Sequence, residues 1–393
     1  MDYLLLSKLY YKNKDLYLST YQNRYNNESS FHFNLSISKN PAFLVCTFEL
    51  LSLVSTIRKL DKDLYKLSEQ LPGIALEQFT HKCLIDEISL TNDIEGIHSS
   101  RKEINDIIID KSIAKTSKRL YGLVKKYQLL GEVQKKISSC EDIRNIYDEL
   151  VYDEVAADDL DNIPDGLFFR KNSVSVTNNH QKVIHRGINP EQRIIEYINE
   201  SLKILEDDSI DFLIRIAIFH YMFGYIHPFY DGNGRTSRFI SSYLLSKELH
   251  PLVSYSLSYN IKKNINQYYN AFKHVNDEKN KGDLTPFILI FLEILKNALS
   301  NLCDTLNEKI DALNHYNSLL ENSISKNSMD VLFILLQNTL FGEKGLSVYD
   351  LNDITSISLS KIRSILKNEA HYLIASRESN TKLYQIDLEQ LNF

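Results

Sequence analysis

Between Asp211 and Ile226 the chain is almost continuously apolar, and Pro228 follows directly after His227. That block is longer than a typical strand and reads as a buried helix. Proline disfavours helical dihedrals in the residue before it, so the helix is expected to end at His227 and the chain to turn out. Phe229 then reads as a core anchor that pins the turn. Gly232, Asn233 and Gly234 tolerate positive φ and leave backbone N–H groups free to converge on an anion. A second helix is expected from about Arg235 through Phe239, Ile240, Tyr243, Leu244 and Leu245. The segment therefore demands two helices about a glycine loop, with an anion site at the second helix's N-terminus.

Residues 227 to 238 read His-Pro-Phe-Tyr-Asp-Gly-Asn-Gly-Arg-Thr-Ser-Arg. Asp231 is acceptor-only and could hold a Mg²⁺ that bridges phosphates. Arg235 and Arg238 are three apart, so both can point to one side and clamp phosphate oxygens. His227 ordinarily titrates near neutrality and sits at the lip of the cradle, which suits a general base toward an incoming hydroxyl. A plain helix corner needs glycine, but not His-Pro-Phe before it or Asp and two arginines around it. No Lys-Ser or Lys-Thr follows the glycines, so this is not a P-loop. The set is what phosphoryl or nucleotidyl transfer requires.

The stretch resembles the Fic family signature, His-Pro-Phe-x-Asp/Glu-Gly-Asn-Gly-Arg-x-x-Arg, at every specified position. Members of that family mostly transfer AMP from ATP to a Ser, Thr or Tyr hydroxyl of a target protein. The resemblance implies that His227 deprotonates the target hydroxyl and that Asp231 carries Mg²⁺. It places Gly232, Asn233 and Gly234 around the α-phosphate of ATP, and Arg235 and Arg238 on the β- and γ-phosphates. Relatives that transfer phosphate usually carry Lys in place of the second Gly, and phosphocholine transferases lack the first. Both glycines are present here, which favours AMP transfer.

A second element gains meaning beside the first. Thr91-Asn-Asp-Ile-Glu95-Gly96 matches the family's inhibitory pattern, Ser/Thr-x-x-x-Glu-Gly/Asn. Thr91 and Glu95 share a helix face, and Gly96 is a natural terminator. A glutamate in the last helical turn gains from a nearby cation. The resemblance makes that cation Arg238, so that Glu95 occupies the guanidinium needed by the γ-phosphate. In some relatives the same glutamate also helps remove AMP from the modified target, and the sequence leaves this open.

Residues Leu167 to Val176 and Gln181 to His185 are short β-rich runs around Thr177-Asn178-Asn179-His180, which reads as a hairpin. The family places a flap there. Its edge would take the target segment by strand addition, making residues 167–187 the expected target dock. His180 and His185 read as surface histidines, and no Cys or His cluster has zinc spacing.

Composition limits the remaining classes. Net charge is −6 and the isoelectric point about 6.0, which gives no global basic footprint for nucleic acid. Cys46, Cys83, Cys140 and Cys303 are scattered singly, as reduced cytoplasmic thiols would be. The start, Met-Asp-Tyr-Leu-Leu-Leu-Ser-Lys, lacks the layout of a secretion signal, and the run from Ala42 to Ile57 is too short to span a bilayer. A cytoplasmic enzyme without a membrane role is expected.

The fold expected is mainly α: a Fic helical core with a small β-hairpin flap, and a C-terminal winged-helix-like module. Residues 1–70 form an N-terminal segment of unassigned role, its first 40 Tyr- and Asn-rich and irregular with a strand or two. Residues 71–318 form the core, including the inhibitory helix at about 76–95, and 319–393 the last module. Helices are expected near 42–70, 76–95, 116–137 and 141–153, with a capping box at Ser100-Arg-Lys-Glu103. Asn189-Pro190 reads as N-cap and N1 of a helix through Leu205, and Thr285-Pro286 opens another before Phe287–Leu299. The resemblance spans residues 75 to 300. Tyr268 and Tyr269 match a Tyr-Tyr pair that relatives keep near the nucleotide, and a core role suits them equally.

Helices over 327–340, 347–354 and 358–369, then strands over 372–375 and 382–386, suggest the winged helix. Lys361, Arg363 and Lys367 on its second helix could reach phosphates, but the module carries more Asp and Glu than Lys and Arg. Packing, homodimerisation or target selection is favoured over DNA reading. The functional reading is a self-inhibited protein adenylyltransferase. The alternatives are phosphotransfer on the same scaffold, or a nucleotide-sensing DNA-binding regulator, against which the intact His227 argues.

Overall fold

The computed structural model describes residues 3–109, 118–130, 136–177, 183–378 and 380–391. It is mainly helical with three small antiparallel sheets. By internal contacts the chain divides into two units, residues 1–61 with 85–299, and residues 62–84 with 300–393. That division differs from the boundaries at 70 and 318 expected from the sequence. It falls within long helices, where composition gives no break.

The first unit opens with α1 (Leu6–Lys12) and α2 (Lys14–Tyr25), followed by the hairpin of β1 (Ser30–Ile37) and β2 (Asn40–Val45). The sequence predicts irregular chain with a strand or two here; the strands are found, and the two helices are the departure. Asn13 caps α2 by accepting the N–H groups of Asp15 and Leu16, and Leu6, Leu9 and Tyr17 form a small buried cluster. Because α2 buries only Tyr17, no apolar stripe announced it. The Ala42 run expected to be helical begins as β2. Phe43 exchanges backbone hydrogen bonds with Gly282 and Leu284, which ties the hairpin to the core. At its tip, Ser38 N–H donates to the Tyr225 hydroxyl at 2.9 Å.

Next come α3 (Phe48–Ser68), α4 (Gly73–Ile94), α5 (Arg101–Ile109), α6 (Lys118–Gln128), α7 (Cys140–Tyr147) and α8 (Asp153–Asp158). A π-helical turn at Asp148–Tyr152 joins α7 to α8. The Ser100 hydroxyl accepts the Glu103 N–H, as a cap at that position should. The flap is smaller than expected: β3 (Ser175–Thr177) pairs with β4 (Val183–Arg186), and the turn at 178–182, with His180, lies outside the described residues. Residues 167–170 are drawn off into a loop instead of extending the strand.

The centre of this unit is α10 (Phe212–Ile226), packed between α9 (Glu191–Glu206) and α11 (Asn233–Glu248). Pro190, not Asn189, occupies the N-cap position of α9. Asp211 caps α10 by accepting the Leu213 N–H, and almost every side chain from Leu213 to Ile226 is buried. The unit continues through α12 (Pro251–Ser254), α13 (Leu257–Lys263), α14 (Ile265–Asn276) and the first half of α15 (Thr285–Ser323). Among the described residues α15 is the one helix long and apolar enough to cross a bilayer. Of its most apolar window 67% is buried inside the protein.

The second unit holds α16 (Lys326–Phe341), β5 (Leu346–Ser347), α17 (Val348–Thr355), α18 (Leu359–Asn368), β6 (Leu373–Glu378), β7 (Thr381–Ile386) and α19 (Leu388–Leu391). Its sheet runs β5-β7-β6, all antiparallel. Ser347 and Asp350 form a capping box at the start of α17.

Candidate active site

The end of α10 delivers His227. It sits at the C-cap with φ 53° and ψ 63°, a left-handed conformation that costs a residue with a side chain about 1–3 kcal/mol. The helix does end where Pro228 requires. The backbone is held there by the His227 N–H donating to the Phe223 carbonyl at 2.9 Å, and by Arg170 Nε donating to the His227 carbonyl at 2.9 Å. Burial first, then His185 and Arg170 nearby, push the imidazole down to about 4, so at neutral pH it is uncharged and able to accept a proton.

Phe229 is fully buried, stacked on Tyr147 with ring centroids 3.8 Å apart and edge-on to Phe169 at 5.5 Å. Asn233 clamps the loop shut: its side chain accepts the Phe229 N–H at 2.9 Å and donates to the Phe229 carbonyl at 2.8 Å. The Asn233 side chain is thus committed to the loop, and only its backbone faces an anion's needs. Of the three loop residues expected to favour positive φ, Gly232 alone adopts it (75°). The helix starts at Asn233, two residues before the expected Arg235, and Thr236 N–H makes the first intrahelical bond to the Gly232 carbonyl. Helix geometry leaves the N–H groups of Asn233, Gly234 and Arg235 without an intrahelical acceptor, so an anion at this helix N-terminus would find donors there. Gly234 is required for space: a Cβ there would collide with the Glu95 carboxylate and lie 2.9 Å from Arg238 Nη1. Asp231, half-buried at the loop's edge, accepts the Gly232 N–H.

Both arginines are buried, and each meets a carboxylate. Arg238 Nη2 donates to Glu95 Oε1 at 2.7 Å and to the Thr91 carbonyl at 2.9 Å, while Nε donates to the Thr91 hydroxyl at 2.8 Å. Burial works against the Glu95 charge, but Arg238 outweighs it and holds the carboxyl below its usual value. Glu95 itself lies just past α4. The Ile97 N–H bonds to the Asn92 carbonyl and Gly96 N–H to Asp93, with Gly96 left-handed at φ 74°, a Schellman terminator that fixes where Glu95 points. Arg235 Nη1 is closed by Glu154 of α8, and Arg235 Nε has no hydrogen-bond partner among the described residues.

Several residues here were not legible in advance. Glu154 sits in an acidic run that reads as a solvated face. Glu87 is wholly buried on α4, one turn before Thr91, and accepts the Ser258 N–H at 2.8 Å and its hydroxyl at 2.6 Å. Burial pushes its carboxyl up to about 7. Its spacing from Thr91 and Glu95, four and eight residues, was the available signal. Arg170 is buried among main-chain carbonyls. His185, expected at the surface, instead turns its Nε2 onto the Tyr225 carbonyl at 2.6 Å, and burial lowers its pKa.

The two tyrosines divide. Tyr268 is core, its hydroxyl 2.7 Å from Nε2 of the buried His220, while Tyr269 remains about half exposed beside it. The flap flanks His227: a Cβ on Gly187 would sit 3.1 Å from the His227 Cβ.

Residues 137–245 match the family model described as Fic/DOC family. Those residues form a Fic domain. Over 108 residues it is 32% identical to protein adenylyltransferase Fic of Drosophila grimshawi, covering 28% of this chain and 20% of that one. Against the same-named protein of Drosophila yakuba it is 36% identical over 83 residues, 21% of this chain and 15% of the other. The chain thus spans about a fifth of the length of the curated relatives it matches. In fold it is similar to a Fic family protein from Desulfovibrio desulfuricans G20, with a TM-score of 0.55 at 19% identity over 88% of this chain and 97% of that one. The Fic match covers α10, the glycine loop, most of α11 and the flap, and begins just before α7.

Proposed function

We propose that this Fic protein is a protein adenylyltransferase that moves AMP from ATP to a Ser, Thr or Tyr hydroxyl of a target protein, and that Glu95 holds it off. The observation that carries the reading is the Glu95–Arg238 ion pair, formed 2.7 Å apart at the mouth of the anion loop. Matched relatives bearing the name protein adenylyltransferase support AMP as the transferred group.

In the reaction, the target hydroxyl oxygen attacks the α-phosphorus of ATP, the bond from that phosphorus to the bridging oxygen breaks, and pyrophosphate leaves. The hydroxyl proton passes to the neutral imidazole of His227. The N–H groups of Asn233, Gly234 and Arg235 bind phosphate oxygens at the start of α11, where the helix dipole favours negative charge. Arg235 and Arg238 offset the charge that develops on the leaving pyrophosphate. While Glu95 occupies Arg238, the γ-phosphate lacks that partner and ATP lies unproductively. Mg²⁺ suits the donor set: Asp231 offers one carboxylate, as ions held mainly by phosphates and water require, and it would neutralise phosphate charge. Among the described residues no cluster of three His, Cys, Asp or Glu side chains makes an all-protein metal site.

The short flap beside His227 is read as the target dock, and the C-terminal sheet and helices as a winged-helix-like module for target selection or homodimerisation. The test is label transfer from ATP with Mg²⁺ into proteins of a cell lysate, using α- and γ-labelled nucleotide in parallel. Label from the α position, strongest in Glu95→Gly and absent in Glu95→Gly/His227→Ala, is the expected result. Label from the γ position would replace AMP transfer with phosphotransfer.

A further inference from the structure

The sequence offers no reason to notice Arg170, yet its side chain is the most completely buried charge beside the base. It is fully inaccessible to solvent, and among the described residues it makes four side-chain hydrogen bonds, all to main-chain carbonyls rather than to a carboxylate. Nε donates to His227 at 2.9 Å. Nη2 donates to Ile226 at 3.4 Å and to Ile188 at 2.8 Å, and Nη1 to Asn172 at 2.5 Å. The Arg170 backbone N–H adds a bond to the Pro228 carbonyl at 3.2 Å.

These acceptors have a common logic. The last carbonyls of a helix lack intrahelical donors, and helices usually solve this with a left-handed glycine. At the end of α10 that position is His227, whose imidazole the chemistry needs, so glycine is unavailable. Arg170 supplies donors instead, and its charge meets the negative end of the α10 dipole. Asn172 and Ile188 flank the β3–β4 flap on its two sides, so one guanidinium joins both flanks to the His227 backbone. Gly187 keeps this approach open, because a Cβ there would strike Arg170 Nη2. The loop bearing Arg170 is itself fixed: the Glu191 carboxylate accepts the N–H groups of Leu167, Phe168 and Phe169.

We propose that Arg170 is the positioning residue of the base, holding the left-handed backbone at His227 and coupling it to both flanks of the flap. Target docking on the flap and placement of the imidazole are then one mechanical event. The catalytic half of this inference rests on the adenylyltransferase reading above. The groups facing His227 are His185 from β4, Arg170 from the loop before β3 and Glu95 from the end of α4.

The experiment uses the full chain in a Glu95→Gly background with Arg170→Gln, Arg170→Lys and Gly187→Ala. Transfer kinetics are measured with α-labelled ATP. The His227 imidazole is titrated by NMR on ¹⁵N-histidine protein, with the signal assigned from a His227→Asn sample. Arg170→Gln should lower kcat by roughly 100-fold, the cost of misplacing a reacting group by about 1 Å, with KM for ATP nearly unchanged. Its His227 titration should move up toward the ordinary histidine range. Arg170→Lys, which keeps the charge but cannot reach four carbonyls, should recover part of the titration and little of kcat. If Arg170→Gln does not fold, Gly187→Ala decides, since it displaces the guanidinium and keeps the charge. A thermal destabilisation with normal kcat and unchanged His227 titration would mean a merely structural arginine and would overturn the proposal. If Glu95→Gly transfers no label from ATP, the functional reading fails, while the titration still decides whether Arg170 positions His227.

Discussion

Arg235 and Glu154 form an ion pair in which both side chains are more than nine-tenths buried, 1% and 8% exposed. Glu154 comes from α8 and Arg235 from the first turn of α11, so the pair fixes α8 against the glycine loop and the start of α11. Removing one partner of a buried pair leaves an uncompensated charge and costs about 3–5 kcal/mol. Glu154→Ala should lose stability on that scale in denaturant melts. ATP phosphates would then supply the missing counter-charge, so saturating ATP should raise the melting temperature of Glu154→Ala more than that of wild type. Equal shifts would remove Arg235 from the nucleotide site.

Freeing Arg238 should separate stability from activity. In Glu95→Gly the guanidinium, 2% exposed, keeps its Thr91 bonds and loses its counter-charge. A buried group left short of a partner costs about 1–3 kcal/mol, so the more active variant should also melt earlier. Glu95→Gln keeps a hydrogen-bond acceptor without charge and should fall between the two in both respects. A Glu95→Gly protein as stable as wild type and no more active would sink the inhibitory assignment.

How legible this was depends on where the information lay. The helix–loop–helix around His227 could be read because its chemistry is contiguous: apolar block, proline, glycines and arginines follow one another in the chain. Thr91, Glu95 and Gly96 were readable for the same reason, as a helix end with its own terminator. Glu154, Glu87 and Arg170 were not, because their partners are distant in sequence: Arg235, Ser258 and the His227 backbone. A charged residue looks solvated until the fold buries it. The two N-terminal helices were missed because α1 buries only Leu6 and Leu9 and α2 only Tyr17, too few positions to make the apolar stripe that period-based reading depends on.

Glu87 should leave a signature in the pH dependence of folding. Its carboxyl is pushed up to about 7, above the unfolded value near 4.3, so the native state binds its proton more tightly. The stabilising contribution is then fully present below about pH 4.3 and is lost as pH rises through about 7. The integrated effect is on the order of 4 kcal/mol. Glu87→Gln removes this contribution. Wild-type stability minus that of Glu87→Gln should therefore fall between pH 4.5 and 7.5, whatever the remaining groups contribute to both. A difference flat across that range would show that Glu87 is ionised in the fold as in the open chain.

The base should report itself in the acid limb of the rate profile. Burial, His185 and Arg170 push His227 down to about 4, whereas Glu95 alone among its charged neighbours favours the proton. Removing Glu95 takes that favourable charge away, so in Glu95→Gly the imidazole should stay neutral to at least as low a pH. Transfer by Glu95→Gly, measured as kcat/KM at fixed saturating Mg²⁺, should accordingly stay level from pH 7.5 down to about 5 and decline only below that. An ordinary histidine base would instead halve the rate near pH 6.5. A midpoint near 6.5 would mean that the imidazole is more open to water than its place at the end of α10 implies. A level profile that persists in His227→Ala would move the base to another group altogether.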